Sequence, residues 1–130
     1  MARHVLSRDR AMSRIHLDTD IGGDTDDLCA LAMLLGWADV ELVGVTTCTD
    51  SGGLRAGLAR YALRLAGQEG VPVAAGADGS LGGYRIAPGF SDLDRYCPES
   101  VAPEPSPPGA ALDLLGRSIE MGATVVGAGP

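Results

Sequence analysis

The chain has 130 residues, 45% of them hydrophobic, which is enough for one domain with a core and too apolar for a disordered chain. A net charge of −7 argues against a nucleic-acid partner, because phosphate binding needs clustered basic side chains. No apolar run approaches the length of a membrane span. Three widely spaced cysteines, Cys29, Cys48 and Cys97, favour buried, reduced thiols over a disulfide framework or a zinc site.

Residues 1–13 contain arginines but no apolar stretch that could form the core of a signal peptide. We interpret them as a flexible N-terminal tail on a cytoplasmic protein. The domain is then expected to span residues 14–130.

The first five predicted elements alternate between strand and helix. Residues 14–19 form an apolar run that ends in acids and predict a strand, and residues 26–38 are apolar nearly all round and predict a buried helix. Residues 40–47 are β-branched and predict a second strand. Apolar residues recur at helical spacing from Leu54 to Leu65, and residues 70–76 predict a third strand.

Residues 77–108 break this pattern, since they are rich in Gly, Pro, Ser and Asp, and long loops of this kind are usually functional or mobile. Residues 109–122 then predict a helix and residues 123–130 a fourth strand. The order predicts an α/β fold, a mostly parallel sheet with helices on both faces. Because an α/β domain would continue into another helix, we interpret the chain as truncated after about the fourth strand.

The stretch IHLDTDIGGDTDDL carries the candidate chemistry. Five aspartates fall within ten positions, and the nearest cation in sequence is Arg14; the acids are Asp18, Asp20, Asp24, Asp26 and Asp27. They lie where a strand ends and a helix begins, which is the ligand-binding edge of a parallel sheet. Carboxylates crowded without cations have raised pKa values unless a hard, oxygen-seeking ion such as Ca²⁺ or Mg²⁺ neutralises them.

Three other interpretations account for less of this stretch. Helix capping explains Asp24 and Asp27 but not the acids on the preceding strand. An EF-hand loop would place Gly22 at a ligand position and Cys29 where the closing Glu belongs, and a strand precedes the loop instead of a helix. A haloacid dehalogenase-like Mg²⁺-dependent phosphatase also places D-x-D after its first strand, but it leaves DTDDLCALAML unexplained.

The closest fit is to a known family. LDTDIGGDTDDLCALAMLL resembles the N-terminal signature of the inosine-uridine preferring nucleoside hydrolases, and VELVGVTT, VPVAAGAD and ATVVGAGP resemble three later strands of that family. The resemblance implies a Rossmann-like nucleoside hydrolase fold. It also implies Ca²⁺-dependent hydrolysis of the N-glycosidic bond of ribonucleosides, small-molecule substrates used in purine and pyrimidine salvage.

The resemblance also implies roles for the five acids. Asp20 resembles the calcium ligand that acts as general base, and Asp27 the bidentate calcium ligand. Asp26 resembles the residue that holds the ribose hydroxyls. Asp18 is expected to support the site, and Asp24 lies in an inserted pair whose role is open between support and capping.

Further roles fall outside the acidic stretch. Ala128 stands where the family supplies a backbone carbonyl to calcium, and Asp50 or Ser51 stands near a position that touches the sugar. Gly22 and Gly23 are expected to let the loop bend around the ion.

Two features depart from the family. The segment 79–100 lacks the H-G-x-x-G-L-G pattern that the family leads us to expect, and its aromatics, Tyr84, Phe90 and Tyr96, could line a base pocket or pack locally. The chain is also about half the family's length or less, so a further metal-binding aspartate is missing, and neither His4 nor His16 is expected to replace the missing groups. A non-catalytic fragment that binds calcium or ribose therefore stands as the alternative to an enzyme. Base preference and oligomeric state stay open, with a homo-oligomer one option for the full-length form.

Overall fold

The computed structural model describes residues 11–79, 81–83 and 101–130. Its elements in chain order are β1 (Ser13–Thr19), α1 (Asp26–Gly36), β2 (Val40–Thr47), a short 3-10 turn (Ser51–Gly53), α2 (Leu54–Leu65), β3 (Val73–Ala74), α3 (Ala110–Glu120) and β4 (Thr124–Gly127). Residues 1–10 of the predicted tail and most of the predicted long loop, including Tyr84, Phe90, Tyr96 and Cys97, lie outside the described residues and stay predictions.

The strands form one parallel sheet in the order β3-β2-β1-β4. The connections through α1 and α2 step along the sheet in one direction, and the connection through α3 steps back past β2 and β1. Because parallel crossovers are right-handed, α1 and α2 cover one face and α3 covers the other. The predicted α/β fold, with helices on both faces of a parallel sheet, is confirmed.

The apolar core lies between the sheet and the α1/α2 face. Its largest fully buried side chains include Leu17 of β1, Leu31 of α1, Val45 of β2 and Leu63 of α2. The alternation of side chains along a strand sends Leu17 into this core and its neighbour His16 to the α3 face. The two faces of β1 therefore meet different surroundings.

The prediction that the first helix is buried all round was wrong. Met33 of α1 is 55% exposed and Trp37, just past its end, is 52% exposed. Leu28 and Leu35 of α1 and Leu65 of α2 line an open apolar groove of about 450 Å³. Sequence periodicity could not reveal this exposure, because a helix that is apolar on every side does not show which side has a neighbour. None of the helices within the described ranges has the length and apolar character needed to span a bilayer.

The strand order fixes where a ligand can bind. From β1 the chain adds β2 and then β3 on one side, whereas β4 is added on the other side of β1. The order in which strands are added therefore reverses between β1 and β4. In parallel α/β sheets such a point opens a crevice at the carboxyl ends of the strands. The loop after β1 and the residues after β4 meet at this crevice.

Candidate functional site

The carboxyl ends of β1, β2 and β4 are tied together by backbone hydrogen bonds. The Cys48 N–H donates to the Thr19 carbonyl at 3.0 Å, and the Ala128 N–H donates to the Asp18 carbonyl at 2.8 Å. A Cβ atom built on Gly129 would lie 3.8 Å from the Cβ of Asp20 and would collide with the Cys48 sulfur. The segment after β4 therefore lies directly beside Asp20.

Thr19 shapes the loop that follows β1. Its hydroxyl donates to Asp27 Oδ1 at 2.6 Å and accepts from the Ile21 N–H at 3.1 Å, and the Ile21 side chain is fully buried. Gly22 has φ = 108°, a backbone conformation that side chains with a Cβ rarely adopt. The loop bends here and turns the start of α1 back onto the end of β1; that it bends around an ion stays a prediction.

Asp27 is the most buried acid of the loop, with 5% of its surface exposed. Burial raises the pKa of Asp27; the Thr19 hydrogen bond opposes this rise, and the neighbouring carboxylates of Asp20 and Asp26 add to it. An ionised Asp27 therefore sits in unfavourable surroundings in the metal-free protein. A cation bound here would relieve both the burial and the repulsion.

Asp24 and Asp26 form an exposed carboxyl pair at the start of α1. The hydrogen bond between the two carboxyl groups raises the pKa of Asp24 and lowers that of Asp26, which also accepts from the Asp27 N–H at 2.9 Å. Of the two carboxyl groups, Asp26 is therefore the stronger acid and Asp24 the weaker. Within the described residues, Asp24, Asp26 and Asp27 offer oxygens that lie within 4.8 Å of one another, a spacing that suits a metal ion.

The structure thus brings four of the five predicted acids into one cluster, in which Asp27 neighbours both Asp20 and the Asp24–Asp26 pair. The fifth acid, Asp18, points elsewhere: its Oδ1 accepts from the Thr46 hydroxyl at 2.5 Å. The donor set of the cluster consists of carboxylate oxygens, which hard divalent cations prefer. The residues present therefore fit a calcium or magnesium ion.

Asp50 is 3% exposed and serves the turn after β2. One of its oxygens accepts from the Thr47 hydroxyl at 2.6 Å and the Ala56 N–H at 3.0 Å, and the other accepts from the Arg55 N–H at 2.9 Å. These bonds satisfy free N–H groups at the start of α2, which is a capping role. Its contact with a sugar stays a prediction.

Thr49, beside Asp50, is the unusual residue of this turn. It has φ = 48°, which is strained for a β-branched side chain, and among the described residues its Oγ1 is a buried hydroxyl without a hydrogen-bond partner. Strained residues and unpaired buried hydroxyls cluster where ligands bind. Sequence reasoning did not single out Thr49, and nothing in CTDSGG signals its backbone conformation.

Arg55 is the cation that the sequence analysis missed. Its guanidinium donates to the Asp20 carbonyl, to the Ile21 carbonyl at 3.0 Å and, through Nε, to the Thr49 carbonyl at 3.1 Å. It therefore joins the loop after β1 to the turn after β2 and places a positive charge under the acids. A signal existed: a cation in the first turn of a helix opposes the helix dipole and needs a partner.

The cysteines only partly match the prediction of buried thiols. Cys48 is half-buried next to the acids, and burial, with Asp18 and Asp20 adding to it, raises the pKa of its thiol to about 11. The thiol is therefore protonated at neutral pH in the metal-free protein. Cys29 is exposed, so the prediction was wrong for that residue.

Comparison with known proteins places this site in a family. The family model described as inosine-uridine preferring nucleoside hydrolase matches residues 15–130. A search of curated protein sequences finds no match. Among solved structures, a plant nucleoside hydrolase (the PpNRh1 enzyme) superposes with a TM-score of 0.70 at 22% identity, over 91% of this chain and 40% of that one. At this identity the likeness concerns the fold, and the chain spans less than half the length of the structure it matches.

Proposed function

The chain belongs to the inosine-uridine preferring nucleoside hydrolase family, and from this premise we propose that it supplies the calcium-binding part of a site that hydrolyses the N-glycosidic bond of ribonucleosides, giving ribose and free base. One observation carries the proposal: four carboxylates converge at the carboxyl end of β1, and one of them, Asp27, is buried with a raised pKa. An all-oxygen donor set of this charge is typical of Ca²⁺ sites.

We assign the metal to Asp20, to the Asp27 carboxylate and to the backbone carbonyl of Ala128. The Thr19 hydroxyl fixes the orientation of Asp27, and the segment after β4 lies beside Asp20. Arg55 holds the Asp20 and Ile21 carbonyls, so the loop is shaped before an ion arrives. Asp24 supports the cluster through its hydrogen bond with Asp26.

Bound calcium would supply the positive charge that acidifies and orients the attacking water. The Asp20 carboxylate would accept the proton of that water as general base. Asp26, kept ionised by its hydrogen bonds, would accept hydrogen bonds from the ribose hydroxyls. Negative charge beneath the sugar favours the oxocarbenium-like transition state of glycosidic cleavage.

We place the far side of the ribose at the turn after β2. Asp50 was the predicted contact, and its oxygens already accept three hydrogen bonds, so it would act by holding the turn. The neighbouring Thr49 has the unpaired hydroxyl, and Arg55 connects it to the acid loop. In this proposal Thr49 Oγ1 bonds a sugar hydroxyl, and Asp50 keeps Thr49 in its strained conformation.

The alternative is a chain that binds calcium or ribose without turnover. The match spans 40% of the plant enzyme, so turnover by these residues alone is a question for the assay below. The groups that would protonate or stack on the leaving base are not among the residues assigned above. The family match covers the stretch that the phosphatase interpretation leaves unexplained, so no observation favours a phosphatase.

The experiment is a hydrolysis assay of the purified chain with inosine, uridine and a chromogenic riboside, with and without EDTA. Any activity of the chain should be removed by EDTA, restored by added Ca²⁺, and abolished by Asp20→Asn and by Asp27→Asn. Glu120→Gln is the matched control, because it also removes one acidic charge, from the exposed end of α3. The next residue, Met121, accepts a hydrogen bond from Arg14 at the start of β1, so this position lies at the end of the strands away from the acids. Hydrolysis that survives both aspartate substitutions would refute the assignment, and calcium binding without turnover would favour the non-catalytic alternative.

A further inference from the structure

A chain of side-chain hydrogen bonds crosses the α3 face of the sheet and ends at Asp18, near the carboxyl end of β1. Ser118 Oγ on α3 lies 2.8 Å from His16 Nδ1, and His16 Nε2 lies 3.0 Å from Thr46 Oγ1 on β2. The Thr46 hydroxyl then donates to Asp18 Oδ1 at 2.5 Å. His16 and Ser118 are fully buried and Thr46 is 2% exposed, so both bonds of the imidazole are shielded from water, while the Thr46–Asp18 bond is part-buried.

The backbone makes a specific place for the imidazole. The pairing of β1 with β2 shifts by one residue between Ile15 and His16, which sets His16 opposite Gly44. A Cβ atom at Gly44 would lie 2.8 Å from His16 Nδ1 and 3.2 Å from Ser118 Oγ. A glycine inside a strand often marks such a close approach, and here it lets the ring lie against bare backbone.

The bonding at Thr46 fixes the direction of the chain. A hydroxyl has one hydrogen, and that of Thr46 goes to Asp18, so its oxygen must accept from His16 Nε2–H. Nδ1 then carries no hydrogen, and its available donor is the Ser118 hydroxyl, which also lies within donating distance of the Leu114 carbonyl, at 3.1 Å. Burial lowers the pKa of His16 more than the nearby Asp18 raises it, so the ring is neutral at pH 7.

We propose that His16 is a positioning residue. In its Nε2–H tautomer it orients the Thr46 hydroxyl and so fixes Asp18, the acid at the end of β1, two residues before Asp20. The backbone carbonyl of Asp18 also accepts from Ala128, so a fixed Asp18 keeps the ends of β1, β2 and β4 in register. The effect on calcium rests on the proposed function, but the tautomer and the orientation of Asp18 do not.

The first test is NMR on the metal-free, isotope-labelled chain, with His4→Gln to leave a single imidazole. Long-range ¹H–¹⁵N correlations report which ring nitrogen carries the proton, and the ¹³C shift of the Asp18 carboxyl reports its hydrogen bonding. We expect the Nε2–H tautomer in this background. Thr46→Val should switch the ring to Nδ1–H, donating to Ser118, and should move the Asp18 carboxyl signal.

Ser118→Ala is the matched control, because it also removes one hydrogen bond from the buried ring. Ser118→Ala should keep the Nε2–H tautomer and the Asp18 carboxyl shift of the parent chain. Thr46→Ser, which retains a hydroxyl, should likewise show the parent tautomer and the parent Asp18 shift, unlike Thr46→Val. A merely structural role would disturb both variants alike. An Nδ1–H tautomer in the parent chain, or an equal response to Thr46→Val and Ser118→Ala, would overturn the proposal.

Calcium titrations separate this proposal from the proposed function. Thr46→Val should weaken Ca²⁺ binding roughly 10-fold, the low end for residues that orient metal ligands, with Ser118→Ala and Thr46→Ser close to the parent chain. Unchanged affinity in Thr46→Val would contradict the positioning role. A parent chain that binds no calcium would contradict the proposed function, while the tautomer and the Asp18 signal would still decide the part of His16.

Discussion

Both faces of β1 are fully buried at the middle of the strand, and they differ in what fills them. Leu17 and His16 are both 0% exposed, but Leu17 packs into the apolar core against α1 and α2, whereas His16 bonds to side chains of α3 and β2. Apolar burial stabilises without prescribing direction, while hydrogen bonds fix the orientation of each partner. We infer that the apolar face stabilises the domain and the polar face aligns the strand ends that form the site.

The strongest way to break this comparison is to empty the apolar face. Leu17→Ala should lower the free energy of unfolding by about 2–5 kcal/mol, because it leaves a cavity in the core. Urea denaturation followed by circular dichroism measures the loss. Leu65→Ala is the control, since that side chain is 71% exposed and its removal should cost about 0.5 kcal/mol or less. Equal losses for the two variants would contradict the position of the core.

The polar face is tested by filling the space beside the imidazole. Gly44→Ala should cost about 1–3 kcal/mol, because the added methyl group would press on the His16 ring and on Ser118. Gly36→Ala, at the end of α1, has no atom near the added carbon and should cost nothing measurable. The same denaturation experiment compares the two, and a tolerated alanine at position 44 would show that the ring does not lie there.

Arg55 lies at the carboxyl end of the sheet, where it joins the loop after β1 to the turn after β2. Arg55→Gln should cost about 1–2 kcal/mol, since three backbone carbonyls lose a charged donor. Arg64→Gln is the control, because the exposed Arg64 guanidinium lies over the face of Tyr61, 5.3 Å from the ring centre, and its loss should cost about 0.5 kcal/mol. Thermal unfolding of the metal-free variants makes the comparison, and a smaller loss for Arg55→Gln would refute the clamp.

The smallest expected effect is a pH dependence that belongs to the acid loop. The pKa of Asp27 in the folded chain is raised above its ordinary value of 3.8, so folding favours the protonated carboxyl group. Its contribution to the free energy of unfolding is therefore fully present below pH 3.8 and is lost as the pH rises through the folded-state pKa. Asp27→Asn should therefore gain stability relative to the parent chain over this rise in the absence of metal. Denaturation at a series of pH values measures the difference, and a difference that is constant with pH would contradict the raised pKa.

The sequence predicted much of this architecture because its signals are local. The bounds of β2 follow from its β-branched run, and the acid loop follows from five aspartates at a strand-to-helix junction. The remainder depends on contacts between distant residues. Arg55 meets the loop from 35 residues away, and Ser118 meets His16 from 102 residues away, so spacing along the chain could not reveal either contact. Gly44 within β2 was the available sign of the imidazole.

Calcium binding to the metal-free chain tests the central claim, that the carboxyl end of β1 holds a divalent cation, most directly. Isothermal titration of Ca²⁺ into the parent chain, Asp27→Asn and Glu120→Gln compares the buried acid of the loop with an exposed acid on α3. We predict one ion per parent chain, an affinity loss of at least about 10-fold in Asp27→Asn, and an unchanged affinity in Glu120→Gln. Equal affinities in all three chains, or no binding to the parent chain, would contradict the claim.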